Sequence, residues 1–190
     1  WKDLLPYDDR VLIENFALFR DYLALNERSE GLLRIRIVPW ATPKLAYHIE
    51  SDEPAYAATF SVNAEQDTSL LRYAYTSLTT PETIYEIDLR GRQRTLLKRQ
   101  PVLGGFDAER YVTERVWAPA RDGVKIPVSL VYRRGLIKDG NAPLYQYGYG
   151  SYGSSTDPEF DRDAISLLDR GFVYALAHPP GAQGEGRAWD

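Results

Sequence analysis

Cysteine and methionine are absent from these 190 residues, and the only two histidines, His48 and His178, lie far apart in the chain. Without cysteine there is no disulfide, thiolate nucleophile or thiolate metal site, and two distant histidines make no metal-ligand spacing. No metal is expected, and a reducing, cytoplasmic location is. A dominant charge is lacking too: 23 Lys and Arg stand against 27 Asp and Glu, a net charge of -4, which leaves no footprint for nucleic acid or an anionic membrane. No apolar run approaches the ~20 residues that span a bilayer, and the N-terminus lacks the charged-then-apolar order of a signal peptide. With no methionine, a bulky Trp1 at the start and "GRAWD" at the end, the chain reads as an internal piece of a longer one.

What is present can build a core, since 44% of residues are hydrophobic and 13% aromatic. From Val11 to about Leu103 the pattern is strand and turn. "YLALNE" (22–27), the turn "RSEG" and "LLRIRIV" (32–38) predict a hairpin in which Leu33, Ile35 and Ile37 alternate with Arg34 and Arg36, the two-residue period of a half-buried strand. "LRYAYTSL" (71–78), the turn "TTPET" and "IYEIDL" (84–89) repeat the plan, with Tyr85, Ile87 and Leu89 in the equivalent places. "LAYHIE" and "AATFSVN" are expected as a third strand pair between them. A strand-hairpin unit recurring at roughly 50 residues is the pattern of propeller blades.

Past Phe106 the character changes. "YVTERVWAPA" and "VKIPVSLVYRR" flank "RDG", whose Asp122-Gly123 predicts a tight antiparallel hairpin. "LYQYG" is expected as a short buried strand, "DRDAISLLDRG" as a helix ended by Gly171, and "FVYALAH" as an apolar strand. This order opens an α/β sheet buried on both faces, with a domain boundary near Gly105 to Thr113.

The stretch "LYQYGYGSYG" (144–153) contains Gly148-x-Gly150-x-x-Gly153, the letters of a dinucleotide turn. Such a turn needs a helix at its third glycine and an acidic residue ending the next strand. Here "SSTDPEF" follows, Pro158 delays the helix, and the next strand ends "AHPP", so no cofactor is expected. A nucleophile elbow fails as well, because Tyr149 stands two positions before Ser151 where glycine is required. If the hairpin supplies the first two strands of the sheet, the loop falls between the third strand and the first helix, where α/β-hydrolases place part of the oxyanion hole.

"YGYGSYG", "SLLDRGFVYALAH", "ARDGVKIPVSLVYRR", "LRYAYTSLTTPETIYEIDL", "GFDAERY" and "FRDYLALNERSEGL" resemble stretches of the prolyl oligopeptidase family and within it the oligopeptidase B branch. The resemblance runs from about Leu12 to Trp189. It implies a mixed fold: residues 1–110 as the last blades of a β-propeller, and residues 111–190 as the first strands and helix of an α/β-hydrolase peptidase domain. It also implies cleavage of short basic peptides after Arg or Lys by a serine peptidase. Carried over residue by residue, it makes Tyr149 the donor of a hydroxyl to the oxyanion, a task that suits a phenol neutral at pH 7. Packing alone is the other reading of Tyr149 and the one expected for Tyr147 and Tyr152. The resemblance maps recognition of the substrate's basic side chains onto Asp157 and Glu159, and a carboxylate can pair bidentately with a guanidinium. Solvated carboxylates at the start of a helix are the alternative for both. The chain departs from the family in "HPPGAQGEGRAW", where Pro180 stands in an arginine position and Gly184 in a glutamate position. His178 is expected to be structural. The Ser, Asp and His of a catalytic triad are expected beyond Trp189, so these residues alone are expected to be inactive. The other class of reading is a non-catalytic propeller-type binding module with vestigial hydrolase homology.

Overall fold

The structure, a computed structural model, describes residues 2–179. Strands β1 (Leu12–Leu18), β2 (Tyr22–Ser29), β3 (Leu32–Pro39), β4 (Tyr47–His48), β5 (Tyr56–Phe60), β6 (Leu70–Ser77), β7 (Thr80–Asp88) and β8 (Arg94–Arg99) form one sheet in the order β1-β2-β3-β5-β6-β7-β8, with β4 also on β3. β2 and β3 pair antiparallel from Tyr22↔Pro39 to Ser29↔Leu32 across a two-residue turn. Both turn residues are left-handed, Glu30 at φ 54 and Gly31 at φ 69, as a turn matching the strand twist requires. Leu33, Ile35 and Ile37 are buried as their alternation predicts, and so are Tyr85, Ile87 and Leu89. Ile35, Ile37, Leu71, Tyr73, Tyr85, Ile87 and Leu89 share one core, in which Tyr73 and Tyr85 lie 5.6 Å apart between ring centroids. Among the described residues before Leu103 the helical content is a single 3₁₀ turn, Pro43–Leu45.

Two expectations within this sheet are corrected. "LAYHIE" and "AATFSVN" do not pair with each other: β4 pairs antiparallel with β3, while β5 meets β3 in parallel at Leu33↔Ala57 and otherwise pairs with β6. The physical reason lies in the loop between them. Glu53 accepts hydrogen bonds from the hydroxyls of Tyr75 (2.5 Å), Ser77 (2.6 Å), Thr79 (2.6 Å) and Thr80 (2.9 Å), which ties the loop to the β6–β7 turn and not to a hairpin of its own. That turn is also shorter than "TTPET", since β7 already begins at Thr80 and pairs with Ser77 after a bulge.

The second sheet contains β9 (Tyr111–Pro119), β10 (Lys125–Arg133), β11 (Leu144–Gly148) and β12 (Val173–Ala177) in the order β11-β12-β10-β9. The β9–β10 hairpin closes at Gly123, φ 88, as its sequence predicts. β11 and β12 are parallel and connected through helix α1 (Arg162–Asp169). The Asp161 carboxylate accepts from the Asp163 amide and caps the helix, Ala164 and Leu168 face inward, and Gly171 at φ 87 ends it. β11 is not the buried strand expected: all five residues are exposed, because β12 flanks it on one side and no other described strand covers the other. The two sheets meet where Leu78 of the β6–β7 turn enters a cluster with Tyr111, Val131 and Leu168. Phe160 adds a hydrogen bond from its amide to the Thr76 hydroxyl (3.0 Å).

Candidate active site

The glycine loop leaves the carboxyl end of β11, the edge at which parallel strands of an open α/β sheet present functional residues. Its first glycine serves close packing: a Cβ at Gly148 would stand 3.4 Å from both the Cβ and the carbonyl oxygen of Ala177 on β12. Its third serves a turn. Tyr152 (φ 57) and Gly153 (φ 65) are both left-handed, and the Ser154 amide closes the turn on the Ser151 carbonyl at 3.0 Å. No helix opens at Gly153, since α1 begins only at Arg162, so the loop lacks the helix N-terminus on which a dinucleotide turn seats its pyrophosphate.

Tyr149 is the first residue past β11, 41% exposed, and its hydroxyl has no hydrogen-bond partner among the described residues. Neighbouring tyrosines are not core aromatics either. Tyr147 is half-exposed beside a cleft of about 870 Å³ between the sheets, and Tyr152 is 98% exposed. Tyr145 stacks on Tyr174 with centroids 5.6 Å apart.

Asp157 and Glu159 flank Pro158, which is fully buried, and the Glu159 amide bonds back to the Asp157 carbonyl at 2.9 Å. Both line the cleft, but their surroundings differ. Asp157 receives a bidentate pair from Arg28 of β2, at 2.6 and 3.0 Å, and Arg28 also contacts Glu14. Burial works against the charge on Arg28, yet the hydrogen bonds and charges of Asp157 and Glu14 prevail and hold the guanidinium above its ordinary value. Glu159 has no ion-pair partner among the described residues. Burial first, then the charges of Asp157 and Glu82, push its carboxyl above the ordinary range.

His178 follows β12 in the interior, with Nε2 at 3.3 Å from the Ser129 hydroxyl on β10. Burial and then the charge of Arg115 lower it to about 4, so the ring is neutral at pH 7. The fold thus gives this histidine a serine neighbour from a strand 49 positions away. Ser129 is wholly buried and His178 nearly so. His48 instead pairs with the buried Glu27 at 2.6 Å, beside Arg36. Pro180 and Gly184 lie outside the described residues.

Among the described residues no group of His, Cys, Asp or Glu is arranged to hold a metal ion, and no helix is long and apolar enough to cross a membrane. Sequence reasoning missed Arg28, Glu82 and Ser129: each lies within a stretch that carries the family resemblance, but nothing in its own neighbourhood along the chain marks it as part of a site. Their proximity to the loop comes from strand pairing and from the docking of one sheet on the other.

Residues 1–100 match the family "Prolyl oligopeptidase, N-terminal beta-propeller domain". The whole chain is 51% identical to a dipeptidyl aminopeptidase BI from Pseudoxanthomonas mexicana, over 26% of that protein. It is 35% identical to protease 2 from Moraxella lacunata over 98% of the chain and 27% of that protein. Of solved structures, oligopeptidase B from Trypanosoma brucei with covalently bound antipain, in its closed form, superposes with a TM-score of 0.86 at 37% identity, over 98% of this chain and 27% of that one. Oligopeptidase B from Leishmania major gives 0.84 at 34%, over 98% and 27%. The chain thus spans about a quarter of the length of these relatives.

Proposed function

This chain belongs to the prolyl oligopeptidase family, and from that premise we propose that it forms part of a serine peptidase that cleaves short peptides after Arg or Lys. In this reading residues 1–110 are the last blades of a propeller, and residues 111–190 open an α/β-hydrolase domain whose nucleophile lies outside these 190 residues. The chain's own contribution is an oxyanion donor, Tyr149, and a carboxylate-bearing segment, Asp157 to Glu159, that receives cationic groups of the peptide. The observation that carries the reading is the position of Tyr149: one residue beyond a parallel strand, exposed, with a hydroxyl that has no hydrogen-bond partner among the described residues. When a serine attacks the peptide carbonyl, a neutral phenol there donates to the developing alkoxide, and the interaction exists only in the transition state.

The dipeptidyl aminopeptidase relative favours a second reading, in which the cation met by the carboxylates is the peptide's free α-ammonium. N-acetylated and free-amine substrates of one sequence separate the two. The primary test is Tyr149→Phe in the full-length protein. Turnover on an amide substrate is expected to fall by about 10²-fold with a smaller change in KM, while Tyr147→Phe and Tyr152→Phe stay near wild type. Unchanged turnover in a folded Tyr149→Phe protein removes the catalytic role.

A further inference from the structure

The two carboxylates that flank Pro158 do not have the same electrostatic freedom. Arg28 reaches across from β2 and closes a two-pronged pair on Asp157, with its side chain 11% and that of Asp157 14% exposed. Both Asp157 oxygens are thereby engaged, by the donor geometry that a substrate arginine would use. A peptide cation seeking Asp157 must break that fork and leave Arg28 in a poorly solvated place with Glu14 as its remaining acidic partner. Glu159, two residues on, lines the same cleft, where the charges of Asp157 and Glu82 act on it, and it has no ion-pair partner among the described residues.

We propose that Arg28 is a specificity-setting residue: by occupying Asp157 it withholds that carboxylate from the substrate and leaves Glu159 as the group that meets a peptide's basic side chain. This rests on the peptidase reading above and refines it. Arg28 touches neither substrate nor reacting atoms, so it acts as a positioning residue. A residue of the first sheet thereby determines how many carboxylates the second sheet offers, and the site discriminates weakly between peptides with one basic residue and peptides with two.

The test uses the full-length protein and paired amide substrates that differ only in carrying one or two basic residues. The quantity read is the ratio of their kcat/KM values in wild type, Arg28→Gln, Asp157→Asn, the Arg28→Gln/Asp157→Asn double variant and Glu159→Gln. Arg28→Gln frees Asp157 and is expected to raise the two-to-one ratio by about tenfold, through KM, the scale of one charge-assisted hydrogen bond. The double variant is expected to return the ratio to wild type, a reversal that mere loosening of the sheet contact does not produce. Arg28→Lys keeps the charge without the fork and is expected to fall between, and it serves if Arg28→Gln does not fold. A ratio unmoved by Arg28→Gln and Arg28→Lys, or raised equally in the double variant, overturns the proposal. So does a ratio that falls tenfold in Asp157→Asn alone, because Asp157 then already meets the substrate. If Glu159→Gln lowers kcat/KM on basic peptides while Arg28 variants do nothing, only this inference fails. If wild type shows no preference for basic peptides, the peptidase reading fails and this inference with it.

Discussion

Replacing His178 by Gln should flatten the dependence of stability on pH between about 6.5 and about 4. The ordinary imidazole value is 6.5, and in the folded protein burial, followed by the charge of Arg115, lowers it to about 4. The charge of Arg28 acts in the same direction, whereas Asp157 and the Thr156 backbone act against it without prevailing. A depressed value means that the unfolded chain takes up the proton first. The contribution of the neutral ring is therefore complete above pH 6.5 and is lost as pH falls toward 4. A difference of about 2.5 units at 1.36 kcal/mol each amounts to about 3 kcal/mol lost across that window. The assay is denaturant unfolding of wild type and His178→Gln in steps from pH 7.5 to pH 4, taking the difference so that carboxylates common to both cancel. Glutamine retains a polar group that reaches toward the Ser129 hydroxyl, so at pH 7.5 the variant should be modestly less stable, with the two curves converging or crossing as pH falls. Parallel curves over the whole range would refute the argument, since they would mean that His178 protonates in the fold as easily as in the unfolded chain.

Glu53→Ala should open the turn that meets the second sheet. Its carboxylate accepts four hydroxyls, and removing it leaves Ser77, which is fully buried, among the donors to be re-paired. A local loss of about 2–4 kcal/mol is expected, read as faster hydrogen exchange over residues 75–80; Glu53→Gln, whose amide nitrogen cannot accept but whose neighbours can turn to accept from it, should cost less, and equal protection in all three proteins would show the contacts to be incidental. Leu78→Ala should cost about 2–4 kcal/mol by leaving a cavity beside Tyr111, Val131 and Leu168, measured by unfolding, and a loss below about 1 kcal/mol would mean that the sheets dock without it.

The alternation of Leu33, Ile35 and Ile37 with arginines, and of Tyr85, Ile87 and Leu89 with polar residues, determined which face of each strand is buried, because side chains on a strand point alternately to opposite faces. Asp122-Gly123 and the Asp161 to Gly171 span likewise specified a hairpin and a helix through local turn and capping chemistry. The sequence by itself also ruled out thiol chemistry, and its stretches placed the chain in its family. Tertiary structure alone decided the rest. Whether "LAYHIE" pairs with "AATFSVN" depended on four hydroxyls converging on Glu53 from a later hairpin, and whether "LYQYG" is buried depended on which strands lie beside it. The difference between Asp157 and Glu159 is of the same kind. Two carboxylates two residues apart look equivalent in a sequence, but an arginine from β2, 129 positions from Asp157, neutralises one and not the other, since ion pairing depends on distance in space and not on distance along the chain.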